Sequence, residues 1–110
     1  MPTEGVKVTI YVNESDEWHH RPLHLEILKQ LHDQGLAGGT VLHGVAGFTG
    51  RGAVHSSSLV DAGGGLPLVI EFIDTVEHVD RVMPGIRKMA AHRLITREKV
   101  LIENDVGQFD

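Results

Sequence analysis

Residues 66–89 read LPLVIEFIDTVEHVDRVMPGIRKM, and within this run the apolar period changes from that of a strand to that of a helix. Leu66 to Ile73 is β-rich and follows the turn-forming run Asp61-Ala62-Gly63-Gly64-Gly65. It predicts a strand that begins near Pro67, where a missing ladder donor is tolerated. Asp74-Thr75 supplies a helix cap, with Glu77 near the capping-box position. Val76, Val79, Val82, Met83, Ile86 and Met89 then share one face of a helix. Pro84 lies inside that helix, where it removes a donor and crowds the preceding turn, so a kink or a restart is expected there.

Working outward, Val6 to Val12 alternates as a strand, with Lys7 and Thr9 on one side and Val6, Val8, Ile10 and Val12 on the other. Asn13 to His20 reads as a polar connection, and Arg21-Pro22 as a helix start. Leu23, Ile27, Leu28 and Leu31 recur at helical spacing, and Gly35 reads as the C-cap. Gly39 to Ala46 predicts a second strand and Glu98 to Ile102 the last one, while Glu103 to Asp110 is a polar tail expected to fray. The order strand, helix, strand, strand, helix, strand predicts a single α+β domain over 1–110. Its arrangement is ferredoxin-like βαββαβ, an antiparallel sheet with both helices on one face. Two helices cover only one side of such a sheet, so packing of the other side in a homo-oligomer is expected.

Composition narrows the function classes. The chain has 110 residues, 41% of them apolar, which suffices for one core. Its formal net charge of −5 argues against a nucleic-acid surface, which needs clustered positive charge. There is no cysteine, hence no disulfide, thiolate metal site or thiol nucleophile. No apolar run approaches the ~18 residues needed to span a bilayer, so no membrane insertion and a cytoplasmic location are expected.

Between the second and third strands lies GVAGFTGRGAVHSSS, residues 44–58. Its glycines Gly44, Gly47, Gly50 and Gly52 permit positive φ and close backbone approach, and successive N–H groups around Phe48 could form an anion nest. Arg51 could add a bidentate grip on phosphate or carboxylate. The bland alternative is a solvated loop. No Gly-Lys-Ser or Gly-Lys-Thr closes the segment as a Walker A loop. His55-Ser56-Ser57-Ser58 has the residue types of an esterase-like hydrolase, but adjacent side chains in an extended segment point apart and no nucleophile elbow is present. Ser56 and Ser58 suit hydrogen bonding to a ligand or to the loop itself. His19, His20 and His24, with His55, offer imidazoles for a metal, although Pro22 puts a helix start between His20 and His24. Glu71, set among apolar strand residues, needs a basic partner, expected to be Arg51 or Arg93 of another subunit.

Several motifs together resemble one family. Tyr11-Val12-Asn13-Glu14-Ser15-Asp16, Arg21-Pro22-Leu23, Gly35-Leu36-Ala37-Gly38-Gly39-Thr40-Val41, Gly44-Val45-Ala46-Gly47-Phe48, Val54-His55-Ser56-Ser57-Ser58 and Leu66-Pro67-Leu68-Val69-Ile70-Glu71 look like those of DUF190 (UPF0166), a PII-like group. The likeness runs from Val6 to about Ile102. It implies a non-catalytic trimer with clefts between subunits that take a small anionic effector such as an adenine nucleotide. It also implies a T-loop-like excursion over 47–65 that signals to a transporter or enzyme partner. The ligand-binding set carried over by the resemblance and the loop chemistry is Gly44, Gly47, Phe48, Gly50, Arg51, Gly52, Ser56, Ser58, Glu71 and Arg93. The alternative is a metal-binding trimer resembling copper-tolerance proteins, with His19, His20 and His24. Two features depart from PII proteins proper: no tyrosine lies between Gly47 and Leu66, and residues 89–97 lack the glycines of a phosphate loop. Arg93 and Arg97 remain to supply positive charge in that last region.

Overall fold

Alternation on two long strands sets which side of the sheet is buried. In a computed structural model, which describes residues 2–57 and 65–104, β1 spans Thr3–Asn13 and runs along the middle of the sheet. Val6, Val8, Ile10 and Val12 point into the core from β1. A hairpin of β2 (Glu17–Trp18) and β3 (Arg21–Pro22) leads into α1 (Leu23–Asp33). Next come β4 (Thr40–His43), a second small hairpin of β5 (Ala46–Gly47) and β6 (His55–Ser56), β7 (Pro67–Thr75), α2 (Val76–Met89) and β8 (Leu94–Ile102). The main sheet has the order β4-β7-β1-β8, and all three of its strand pairs are antiparallel. That is the expected ferredoxin-like α+β fold.

Leu68, Ile70 and Phe72 of β7 meet Leu23, Ile27 and Leu31 of α1 and Val79, Val82, Met83 and Ile86 of α2 in one core. The next inward position of β7 is Asp74, fully buried. A buried carboxylate must be satisfied, and this one is. Its Oδ2 accepts from the Ala37 N–H (2.8 Å), and its Oδ1 accepts from the Thr75 N–H (2.7 Å) and lies 2.7 Å from His78 Nδ1. Asp74 therefore pins the α1–β4 connection to the start of α2.

The other side of the sheet is open. Leu42, Val69, Tyr11 and Leu94 stand opposite one another across β4, β7, β1 and β8, forming an apolar row. Leu42, Tyr11 and Leu94 are exposed. Beside it runs a polar row of Thr40, Glu71, Thr9 and Thr96.

Several local expectations are corrected. Gly35 is not the C-cap of α1; Gln34 is, and Gly35 follows it at φ 77°. Leu36 N–H bonds the Leu31 carbonyl and Gly35 N–H the His32 carbonyl, the two bonds of a Schellman ending. Thr75 caps α2 through a 3.4 Å bond from His78 N–H, so His78 rather than Glu77 takes the third helical position. The helix continues through Pro84, which sits on its exposed side. The final strand starts at Leu94, not Glu98, because an edge strand with an open face accommodates Thr96, Arg97 and Glu98. Asn13 to His20 is not only a connection. It contains the β2–β3 hairpin, turned by His19 (φ 50°) and His20 (φ 66°). The tail beyond residue 104 lies outside the described residues, as does the part of the expected excursion at 58–64.

Candidate anion-binding site

The last turn of α2 carries Arg87 and Lys88, and the chain then leaves the helix at Ala90. A turn closed by the Arg93 N–H on the Ala90 carbonyl (3.0 Å), with His92 left-handed at φ 69°, redirects it into β8. This corner encloses a hollow of about 390 Å³, with Met83 and Ile95 as apolar wall and Arg87, His92, Arg93, Thr96 and Arg97 as polar wall. Three of the chain's six arginines thus line one hollow of a protein whose net charge is −5. The C-terminal end of a helix carries partial negative charge and opposes an anion, so side-chain guanidinium groups are what can hold one here.

Arg93 is the half-buried member. It donates from Nη2 to Asp16 Oδ1, across from the turn that follows β1. Arg97 donates to Asp80 Oδ1 of α2 at 3.0 Å, but both side chains are exposed, so the pair is weak and easily exchanged.

The segment 44–57 approaches the same corner. Gly44 and Gly47 pack on Pro67: a Cβ on either would sit 3.0 Å from the proline ring, and Gly47 also has φ 152°. Glycine is required there by close approach. The β5–β6 hairpin is extended by the Ser57 N–H on the Val45 carbonyl (2.8 Å), and Gly52 N–H bonds the Thr49 carbonyl (2.9 Å). The turn between them brings Gly50 (φ 56°) to Arg93: a Cβ at Gly50 would lie 3.7 Å from Arg93 Nη1.

Of the expected ligand set, then, the structure brings Gly50 and Arg93 together. Gly44 and Gly47 act in packing at the base of the hairpin. Phe48, Arg51 and Gly52 are exposed on it, and Ser56 belongs to β6. Ser58 lies outside the described residues. Glu71 is not in the hollow. Within the chain it lies 3.5 Å from Lys7 Nζ of the neighbouring strand. His19 and His20 turn the β2–β3 hairpin, His19 stacked on Trp18 with ring centroids 4.3 Å apart, while His24 lies in the first turn of α1. Among the described residues no group of three or more His, Asp or Glu is placed to hold a metal ion. Arg87 and His92 escaped the sequence reading. Their signal was the concentration of base in Arg87, Lys88, His92, Arg93 and Arg97, spread over a helix end, a turn and a strand.

Comparison with known proteins adds a family and a fold. The model of the family DUF190, described as an uncharacterized ACR, matches residues 5–102. A UPF0166 protein of Aquifex aeolicus is 30% identical over 91 residues, covering 83% of this chain and 86% of its own. One of Methanocaldococcus jannaschii is 33% identical over 75 residues, 68% of each chain. Among solved structures, CPII of Thiomonas intermedia K12, a nitrogen regulatory PII-like protein bound to ADP, AMP and bicarbonate, superposes with a TM-score of 0.66. It is 13% identical, and the match covers 94% of this chain and 92% of CPII. No helix among the described residues is long and apolar enough to cross a membrane.

Proposed function

The chain belongs to the DUF190 family, and from that premise we propose that it is a non-catalytic, PII-like regulator that binds an adenine nucleotide or a similar small anion. The observation that carries this reading is the convergence of Arg87, His92, Arg93 and Arg97 on one hollow, with the Gly50 turn lying against Arg93. Guanidinium groups grip phosphate through paired N–H donors, and Met83 and Ile95 offer an apolar surface beside them. CPII, with the same fold, is bound to ADP and AMP. The effector acts beside the turn of the β5–β6 hairpin, where Gly50 meets Arg93, and the exposed Val45, Phe48 and Val54 of this segment are suited to meet a protein partner such as a transporter or an enzyme.

The active form in this reading is a cytoplasmic homotrimer in which the open sheet face is covered. The row Leu42–Val69–Tyr11–Leu94 supports it, because an apolar row of this kind is stabilised by removal from water. Lys7 and Glu71 arrive at such an interface already paired.

Calorimetric titration of the full chain with ADP, AMP and inorganic pyrophosphate tests the binding claim. Sub-millimolar binding of at least one is the expected result, and no heat with any of them would overturn it. Sedimentation equilibrium tests the assembly: a chain of 12.0 kDa gives a particle of about 36 kDa as a closed three-fold ring.

A further inference from the structure

The Arg-lined hollow already faces a carboxylate of the chain itself. Arg93 Nη2 is bonded to Asp16 Oδ1, so a phosphate brought to the same guanidinium meets a like charge and finds a donor taken. Asp16 is also the hub of a tight turn. Its Oδ2 accepts from the Asn13 N–H at 2.9 Å, its own N–H bonds the Asn13 carbonyl at 2.9 Å, and its carbonyl accepts from the Leu23 N–H at 2.8 Å, where α1 begins.

The same turn holds the far root of the segment that contains the β5–β6 hairpin. Asn13 Nδ2 donates to the Gly65 carbonyl (3.0 Å) and Glu14 N–H to the Leu66 carbonyl (3.0 Å), while Leu66 N–H donates back to Glu14 Oε1 (2.8 Å). The fit is close: a Cβ on Gly65 would fall 2.4 Å from Glu14 Cγ and 3.0 Å from the Ser15 nitrogen. Across from it, Glu14 Oε2 lies 3.3 Å from His43 Nε2, at the end of β4. The residues 13–16 therefore clasp both sides of the excursion and, through Asp16, the α2–β8 corner.

We propose that Asp16 is a built-in competitor for Arg93, displaced when an anion enters the hollow, and that its displacement loosens the clasp at Gly65–Leu66. The proposal rests on the reading of the hollow as an anion site. Its physical basis is that the Asp16 side chain is only 15% exposed. Deprived of Arg93, a carboxylate so enclosed is costly and turns toward water. Turning gives up the Asn13 N–H, and with it the geometry that presents Asn13 and Glu14 to residues 65 and 66.

The test uses the full chain, with pyrophosphate and ADP as probes. Asp16→Asn removes the charge and keeps an acceptor for the Asn13 N–H; Asp16→Ser does the same should the asparagine variant not fold. Calorimetry is expected to show about tenfold tighter pyrophosphate binding than in the unsubstituted protein. Unchanged or weaker binding overturns the competition, whereas binding by the variant alone supports it. Amide hydrogen exchange at Glu14 and Leu66 reads the clasp without a ligand: Arg93→Gln is expected to speed both, and no change there overturns the link. Absence of binding in every variant refutes the anion reading of the hollow, and the exchange of Glu14 and Leu66 in Arg93→Gln still decides the link from Arg93 to the clasp.

Discussion

Replacing Asp74 with alanine is expected to weaken the fold more than any surface substitution, and the amount can be worked from its partners. The carboxylate is fully buried and serves three donors: the N–H groups of Ala37 and Thr75 and the imidazole of His78, at 2.8, 2.7 and 2.7 Å. Alanine removes all three acceptor contacts. Ala37 is exposed and the His78 side chain is 32% exposed, so both donors can recover water. Counting a net ~1 kcal/mol for each lost bond gives about 3 kcal/mol, a large part of the 5–15 kcal/mol typical of a domain. At a urea dependence of about 1.5 kcal/mol per molar, the midpoint falls by about 2 M. Asp74→Asn is the finer probe. Its carbonyl oxygen can still serve Thr75 and His78, but its amide group then meets the Ala37 N–H donor to donor, for about 1–2 kcal/mol. Urea unfolding followed by circular dichroism, at one fixed protein concentration because association would shift the midpoint, measures both. An alanine variant whose midpoint moves by less than about 0.5 M, or one no worse than asparagine, would refute the view that this carboxylate pins the α1–β4 connection to α2.

Three further outcomes are expected. His19→Asn with His20→Gly should stabilise the protein by about 1 kcal/mol, since both positions are left-handed and Asn-Gly adopts that turn with less strain; a loss of stability in the same urea assay would show that the imidazoles hold something more than a turn. Leu42→Glu together with Leu94→Glu places charges at both ends of the apolar row on the open face, and sedimentation should then report the 12.0 kDa chain instead of an assembly. Arg87→Ala should weaken pyrophosphate binding by about tenfold while leaving the unfolding free energy within about 0.5 kcal/mol of the original in the urea assay, because Arg87 is exposed and its role is to meet the anion.

How much of this was legible beforehand differs between elements. The strand-to-helix switch at Asp74-Thr75 was plain because it depends on periodicity over many residues, and α1 was plain for the same reason. The β2–β3 hairpin was invisible: its turn is made by two histidines rather than the glycine and asparagine that usually announce one. The early start of β8 is not legible because Thr96 to Lys99 breaks the apolar alternation, whereas an edge strand with one open face accepts such residues. At the site, Arg93 and the Gly50 turn could be named from residue type, but their meeting could not, since 43 positions separate them in the chain. Arg87 and His92 looked like ordinary surface residues until the corner after α2 set them beside Arg97. Glu71 was legible only as a strand carboxylate in need of a base; that Lys7, one strand away in the sheet register, supplies one within the chain depends on a pairing that residue type alone does not give.

The outer strand β8 has a consequence for how such a protein stays in solution at high concentration. One edge of the main sheet is closed off by brevity, since β4 spans only Thr40–His43, but β8 presents the long edge from Leu94 to Ile102. An unpaired edge of that length is a template on which foreign strands can nucleate. Arg97, Glu98 and Lys99 stand in succession at its middle. Any chain that adds itself there must strip water from three charges of mixed sign, so the residues that interrupt the hydrophobic pattern of β8 act as gatekeepers against aggregation.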